Sequence, residues 1–114
     1  MHPLALKALF ESYRFTVAHE AELKEAVCQI LVKQGIEFQL EVWLNKKDRV
    51  DLMVGSVGIE LKVRSVRPAL IEQIWRYLKD PRIQSLLLVT TQRTVSLPPV
   101  LLDKPVFLVH ARGI

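Results

Sequence analysis

Two short runs of alternating side chains around one tight turn constrain the fold of this chain more than any other feature. Their aliphatic members are Val50, Leu52 and Val54, then Ile59, Leu61 and Val63. Because successive side chains of a strand point to opposite faces, this pattern predicts a β-hairpin with its aliphatic face in a core. The opposite face is then expected to be exposed and to display Asp51 and Glu60, with Lys62 one pleat repeat beyond Glu60.

The turn of this hairpin is predicted at Gly55 to Gly58, because glycine accepts the positive φ that tight turns require. Pairing of the two strands would bring Asp51 and Glu60 close together. Two neighbouring carboxylates repel each other unless a cation lies between them. The ligands are oxygen atoms, so Mg²⁺ is the expected ion.

The composition agrees with a single globular domain over residues 1–114, half of them hydrophobic and a quarter charged. The net charge of +4 is compatible with a polyanionic partner. A lone cysteine, Cys28, favours a reducing, intracellular setting. No apolar run is long enough to cross a bilayer and the first residues do not resemble a secretion signal, so we expect a cytoplasmic protein without membrane contact.

Two helices are predicted before the first strand, a short one over residues 3–13 and a longer one over 17–34. Thr16 would cap the longer helix and Gly35 would end it. Glu20 lies at the edge of the apolar stripe of this helix, so it needs a partner or an ion. The alternative is that Glu20 only favours the helix dipole.

Residues 36–44 alternate well enough to predict a strand that precedes the hairpin. One predicted face carries Ile36, Phe38, Leu40, Val42 and Leu44. Glu41 belongs to the other face, as a member of the polar cluster or, more simply, as the cross-strand partner of a basic residue. A turn at 45–48 then leads into the strand of Asp51, which gives an antiparallel meander.

The chain after the hairpin alternates between helix and strand. A basic connection over 64–67 leads to a helix from Pro68 to about Lys79, with an apolar stripe of Ile71, Ile74, Trp75 and Leu78. A buried strand over 85–90 should lie parallel to its predecessor. A loop over 91–97, one turn over 100–103 and a strand over 106–110 complete an α/β fold with one mixed sheet flanked by helices.

The spacing of Asp51, Glu60 and Lys62, with a helical glutamate upstream, resembles the PD-(D/E)XK nuclease superfamily. The likeness covers the chain from Glu20 to about residue 90 and is greatest to small Holliday-junction resolvase-like members. Gln73 to Tyr77 is also similar to the Gln-x-x-x-Tyr feature of RecB-type members. Val50 replaces the proline of the family motif. The resemblance implies a restriction-endonuclease-like core.

The resemblance also implies roles for individual residues. Asp51, Glu60 and the backbone carbonyl of Leu61 would bind Mg²⁺, for which Mn²⁺ could substitute, and Glu20 would complete the ion's ligand shell. Lys62 would orient the attacking water or stabilise the transition state. The remaining candidates are Gln73 as a catalytic hydrogen-bonding residue, and Tyr77, Arg64, Arg67, Lys46 and Lys47 as nucleic-acid-binding residues. For Gln73 and Tyr77, simple packing of the helix on the sheet is an equal alternative.

These observations predict a Mg²⁺-dependent deoxyribonuclease, more plausibly an endonuclease, acting on branched or recombination and repair intermediates of DNA. A homodimer would let two sites address two strands. The main alternative is a catalytically silent module on the same fold that recruits nucleic acid or protein, and a weaker one is a structural subunit of a nuclease assembly. His2, His19 and His110 show no ligand spacing and receive no role.

Overall fold

The computed structural model describes residues 1–63 and 68–113. Within these ranges the helices are α1 (Pro3–Glu11), α2 (Glu20–Lys33) and α3 (Pro68–Leu78). The strands are β1 (Gln39–Trp43), β2 (Arg49–Val54), β3 (Val57–Lys62), β4 (Ser85–Thr90), β5 (Val100–Leu101) and β6 (Lys104–His110). The predicted basic connection over 64–67 lies outside the described residues.

The six strands form one mixed sheet in the order β1-β2-β3-β4-β6-β5. β1, β2 and β3 are an antiparallel meander, β3, β4 and β6 run parallel, and β5 is antiparallel to β6. The α3 helix connects the parallel neighbours β3 and β4, as a crossover connection requires. The α/β class, the meander and the crossover to a parallel strand are therefore confirmed.

Helices cover both faces of the sheet, and this corrects the expectation that one face of the hairpin is open. One apolar cluster joins α1 and α2 to the sheet through residues such as Leu6, Phe10, Leu23 and Val27. The second joins α3 to the opposite face through Leu70, Ile74, Tyr77 and Leu78. Alternate residues of β4 enter the two clusters, whereas β3 contributes Val57, Ile59 and Leu61 to the first cluster only. Both of these central strands are nevertheless buried along almost their whole length.

The alternation along β1 and β2 changes face at one row of the sheet. Leu52 and Val54 pack in the cluster of α1 and α2, whereas Val50 packs in the cluster of α3. In β1 the change falls at Glu41, which has a φ of 51°. The residue pairs on either side of Glu41 in the β1–β2 ladder are Leu40 with Leu52 and Val42 with Val50.

The prediction that the aliphatic side chains of each of these two strands share one face of the sheet is therefore wrong. Ile36 and Phe38 pack with the α1 and α2 cluster, whereas Val42 and Leu44 pack with the α3 cluster. Leu40 remains about half exposed, at 49%. A residue with positive φ rotates the strand, so the side chains that follow it exchange faces.

The turn of the hairpin is shorter than predicted. It consists of Gly55 and Ser56, and the φ of Gly55 is 55°, a value that favours glycine. Gly58 lies inside β3 rather than in the turn. A Cβ atom at Gly58 would lie 3.4 Å from side-chain atoms of Ile83 and Leu86, which is ordinary van der Waals contact.

Two further element assignments and the exposure of one side chain differ from the predictions. His19, not Thr16, precedes the first residue of α2, and the Glu22 carboxylate accepts a hydrogen bond from the Ala18 N–H at 3.1 Å. Residues 100–103 form β5 and the turn into β6 rather than a helical turn. Trp75 is 41% exposed, with the Lys79 ammonium over its ring, because it lies beside rather than within the apolar stripe of α3.

None of the helices in the described part of the chain is long and apolar enough to span a membrane.

Candidate active site

Asp51 lies where the β2–β3 ladder ends. The ladder pairs Val54 with Val57 and continues to Leu52 and Ile59, but it does not extend to Asp51 and Glu60. Instead, the Asp51 carboxylate accepts a hydrogen bond from the Leu61 N–H at 2.8 Å. The Asp51 side chain therefore occupies the gap where the two strands separate, and it stays partly accessible to solvent.

Glu60 is buried in this gap, facing the side of the sheet that α3 covers. Its side chain is only 4% exposed. Its Oε1 atom is fully buried and has no hydrogen-bond partner among the described residues. The expectation that Glu60 is displayed on an open face is wrong, because α3 packs over that face. A buried carboxylate oxygen without a partner is costly unless the group is neutral or binds a cation.

Burial is the main reason why the pKa of Glu60 is raised, to about 8. The negative charge of Asp51 raises it further, and the positive charge of Lys62 acts in the opposite direction. At neutral pH and without a cation, the protonated form of Glu60 is therefore favoured. A divalent cation would replace this proton and stabilise the ionised form.

Lys62 follows on the same face of β3 and connects the buried acid to solvent. Its ammonium nitrogen lies 3.8 Å from Glu60 Oε2, within ion-pair distance but longer than a direct hydrogen bond. The Lys62 side chain is 28% exposed. Asp51, Glu60 and Lys62 thus converge as the sequence predicts, with Lys62 and Asp51 at the accessible side.

Tyr77 belongs to α3, the helix that covers this face of the sheet, and it lies against Asp51 and Glu60. Its side chain is fully buried, and its hydroxyl donates a hydrogen bond to the Arg49 carbonyl oxygen at 2.8 Å. Burial, followed by the negative charges of Glu60 and Asp51, raises the pKa of the Tyr77 hydroxyl. This placement corrects the expected contact with nucleic acid, because Tyr77 has no surface available for stacking.

The other predicted residues lie at varying distances from this centre. Gln73 is half-buried one turn before Tyr77 on α3. Glu20 is exposed at the first residue of α2. In residues 1–63 and 68–113, no three His, Cys, Asp or Glu side chains are grouped to hold a metal ion, so Glu20 does not join Asp51 and Glu60.

Two pairs of basic candidates have different outcomes. Lys46 and Lys47 are exposed on the turn between β1 and β2. Arg64 and Arg67 lie outside the described residues.

Glu41 forms ion pairs with Lys24 at 3.2 Å and with Arg49 at 3.4 Å. These contacts support its simpler interpretation as a partner of basic residues.

The donor atoms at the centre fit a hard divalent cation. Asp51 and Glu60 supply two carboxylates, and one carboxylate oxygen lacks any other described partner. The N–H and C=O of one strand residue project to the same side, so the Leu61 carbonyl faces the gap that its N–H faces. Mg²⁺ commonly binds one or two carboxylates and fills its remaining positions with water and substrate phosphate.

Sequence reasoning missed one residue that lies in the same row of the sheet as Lys62, His110. Lys62 pairs with Thr90 across β3 and β4, and Thr90 pairs with His110 across β4 and β6. The imidazole Nε2 of His110 is buried and has no hydrogen-bond partner among the described residues. Only the register of the parallel strands, which the sequence does not reveal, shows this alignment.

Comparison of the chain with protein-family models, with curated proteins and with solved structures finds no match.

Proposed function

We propose that this chain is a Mg²⁺-dependent nuclease that hydrolyses DNA phosphodiester bonds on a restriction-endonuclease-like core. The activity is that of an endonuclease, with branched or repair intermediates as the substrate class. The observation that carries the proposal is the convergence of Asp51, Glu60 and Lys62 where two strands separate, with one Glu60 oxygen left without a described partner. The PD-(D/E)XK resemblance of these same three residues supports it.

A purely structural account explains the cluster less well. Exposed ion pairs contribute only about 0–1 kcal/mol, and a buried carboxylate beside a second one is destabilising by itself. The Lys62 ammonium is too far from Glu60 to donate a direct hydrogen bond. A metal-binding role accounts for two adjacent acids, one of them buried, at the mouth of a gap in the sheet.

Each residue has a separate part in the proposed reaction. Bound Mg²⁺ would neutralise the phosphate and acidify a water molecule. Asp51 and Glu60 would hold the ion, with the Leu61 carbonyl as a third oxygen donor. Lys62, at the accessible side, would orient the attacking water and stabilise the negative charge that develops on the phosphate. Gln73, on the covering helix, would hold a phosphate or a water by hydrogen bonds.

Isosteric substitutions test this assignment. Asp51→Asn and Glu60→Gln should each lower Mg²⁺-dependent cleavage of a panel of linear, circular and branched DNAs by at least about 100-fold, while circular dichroism stays unchanged. Glu25→Gln, an exposed acid on α2, is the matched control and should cleave normally. Undiminished metal-dependent cleavage by both site variants would refute the proposal.

The alternative is a silent module that binds nucleic acid or protein on the same fold. It predicts no stabilisation of the protein by Mg²⁺ or Mn²⁺, whereas an ion that binds the native state must raise the melting temperature. Homodimerisation, expected because one small domain carries one site, stays a prediction. Sedimentation at micromolar concentration tests it, and a purely monomeric species would contradict it.

A further inference from the structure

A second feature lies at the same edge of the sheet as the candidate active site. It is a cavity of about 610 Å³, formed where β4 and β6 end. The polar and basic residues that line it include Thr91, Arg93, His110 and Arg112. In open α/β sheets, ligands bind outside the carboxyl ends of the parallel strands, which is the location of this cavity.

The described lining of this cavity combines apolar residues, among them Phe15 and Val17, with basic ones, and it contains no acidic side chain. Arg93 and Arg112 are both exposed, and neither forms an ion pair with a residue that the structure describes. Guanidinium groups bind phosphate through paired N–H donors, so two of them around one cavity favour a phosphate ligand.

Two hydrogen bonds hold the walls of the cavity. The Phe15 N–H donates to the Arg112 carbonyl oxygen at 2.8 Å, and the Ala111 N–H donates to the Thr90 carbonyl oxygen at 2.8 Å. Thr91 donates its hydroxyl hydrogen to the Val63 carbonyl oxygen at 2.5 Å, which connects β4 to the end of the strand that carries Lys62. These contacts hold the backbone of Arg112, and they hold Thr91, two residues before Arg93, against the strand of the candidate site.

The strand register gives the separation between cavity and site. His110 lies two strands from Lys62 in the same row. Two inter-strand spacings amount to about 10 Å, which is the rise of roughly three nucleotides along one strand of B-DNA. A nucleic-acid strand with its scissile phosphate at Lys62 can therefore reach the cavity with a phosphate two or three nucleotides away.

We propose that the cavity lined by Arg93, His110 and Arg112 binds a backbone phosphate of the same nucleic-acid strand that the candidate site cleaves. The proposal rests on the proposed function, which it deepens by assigning a second contact on the strand. Arg93 and Arg112 hold the phosphate through their exposed guanidinium groups, and His110 is part of the cavity wall. This contact positions the strand and does not take part in the chemistry.

The test measures binding without cleavage. Fluorescence anisotropy of a labelled single-stranded DNA without a 5′-phosphate, in EDTA and at several salt concentrations, compares the wild type with Arg93→Ala/Arg112→Ala. Loss of two charged hydrogen bonds to a phosphate should weaken binding about tenfold or more. The slope of log affinity against log salt should fall in magnitude by about 0.7, the value for one phosphate contact on a single strand.

Two control variants separate this contact from general charge. Lys33→Ala/Lys79→Ala removes two exposed positive charges at helix ends and should bind as the wild type does. Arg93→Lys/Arg112→Lys keeps the charge but loses the paired donors, and it should bind more weakly than the wild type with an unchanged salt slope. An equal loss of DNA affinity in Lys33→Ala/Lys79→Ala would overturn the proposal. Wild-type affinity of Arg93→Ala/Arg112→Ala would overturn it as well.

Further experiments identify which phosphate of the DNA the cavity binds. Binding that requires a 5′-phosphate on the oligonucleotide would overturn a backbone contact, because it would assign the cavity to a terminal phosphate. Cleavage assays on the same preparations keep the two proposals apart. Wild-type protein that shows the arginine-dependent binding but no Mg²⁺-dependent cleavage refutes the nuclease assignment alone, whereas cleavage without arginine-dependent binding refutes only the cavity.

Discussion

Glu60 is the residue on which the chemistry of the site depends most. Its Oε1 atom is buried without a described partner, and the neighbouring Asp51 disfavours its ionised form. The same features make it a source of pH dependence. In the unfolded chain the group has an ordinary pKa near 4.5, whereas in the folded protein the pKa is raised to about 8.

The direction in which the folding stability changes with pH follows from the number of protons that each state binds. Between about pH 4.5 and pH 8 the native state binds more protons at Glu60 than the unfolded state does. In EDTA, stability should therefore decline across this interval and level off above it. Glu60→Gln should remove the decline, which makes the variant more stable than the wild type at pH 9 by at least about 1–2 kcal/mol.

Urea denaturation at pH 5 and pH 9 measures this difference, with Glu25→Gln as an exposed control that should follow the wild type. Saturating Mg²⁺ should restore stability to the wild type at pH 9 but not to Glu60→Gln. If wild type and Glu60→Gln show the same pH profile in EDTA, the carboxyl group of Glu60 does not have the buried environment described above.

At the scale of elements, α3 both covers the acids and is attached to the strand that carries Asp51. The attachment is the hydrogen bond from the Tyr77 hydroxyl to the Arg49 carbonyl oxygen. Arg76, on the same helix, adds an ion pair with the buried Asp48 at 3.1 Å. These two contacts fix the helix over the gap in which Glu60 lies.

Tyr77→Phe should therefore destabilise the protein by about 1–2 kcal/mol, because it leaves a buried carbonyl oxygen without a donor. Tyr13→Phe is the control, since the Tyr13 hydroxyl accepts an exposed hydrogen bond from the Gln34 amide, and its cost should stay below about 0.5 kcal/mol. Chemical denaturation measures both. Weakened nucleic-acid binding by Tyr77→Phe without any loss of stability would instead favour a direct contact with the substrate.

The sequence predicted the elements well because local patterns decide them. Alternation marks β2 and β3, Gly35 with its φ of 68° ends α2, and the crossover geometry fixes the direction of β4. The exchange of faces at Glu41 could not be predicted, since a non-glycine residue adopts positive φ only when its surroundings impose it. The same limit applies to the burial of Glu60, which depends on where α3 packs.

The site residues show a similar division. Asp51, Glu60 and Lys62 were predictable because the hairpin is local in sequence and its register follows from the turn. The position of Glu20 was not, because it depends on how α2 approaches the sheet across a long stretch of chain. His110 was missed because two parallel pairings, each between strands distant in sequence, align it with Lys62.

At the scale of the whole molecule, one sheet separates two apolar clusters. Leu23 lies in the cluster of α1 and α2, Ile74 lies in the cluster of α3, and both side chains are fully buried. Because β4 contributes Leu87 and Val89 to one cluster and Leu86 and Leu88 to the other, loss of packing on either side of the sheet disturbs a strand that both clusters share. The candidate site lies between them and depends on both.

Leu23→Ala and Ile74→Ala should each cost about 2–5 kcal/mol and leave a single cooperative transition. Circular dichroism and tryptophan fluorescence should report the same midpoint in each variant. Val32→Ala, at a position 67% exposed, is the control and should change stability by less than about 0.5 kcal/mol. Separate midpoints for the two signals would show that the α3 side unfolds independently.

The kink at Glu41 has a consequence for how copies of this protein can meet. An edge strand usually presents a regular row of unpaired backbone N–H and C=O groups, to which a strand of another molecule can bind. Such edges promote aggregation. Here the residue with positive φ in β1 interrupts that row. At the opposite border β5 pairs only with Lys104 and Pro105 of β6, but the Val106 N–H donates to the Pro99 carbonyl oxygen and the Leu108 carbonyl oxygen accepts from Lys7. Continuous extension of the sheet by a second copy is therefore disfavoured at both borders, and we expect any dimer of this protein to form through its helices or loops.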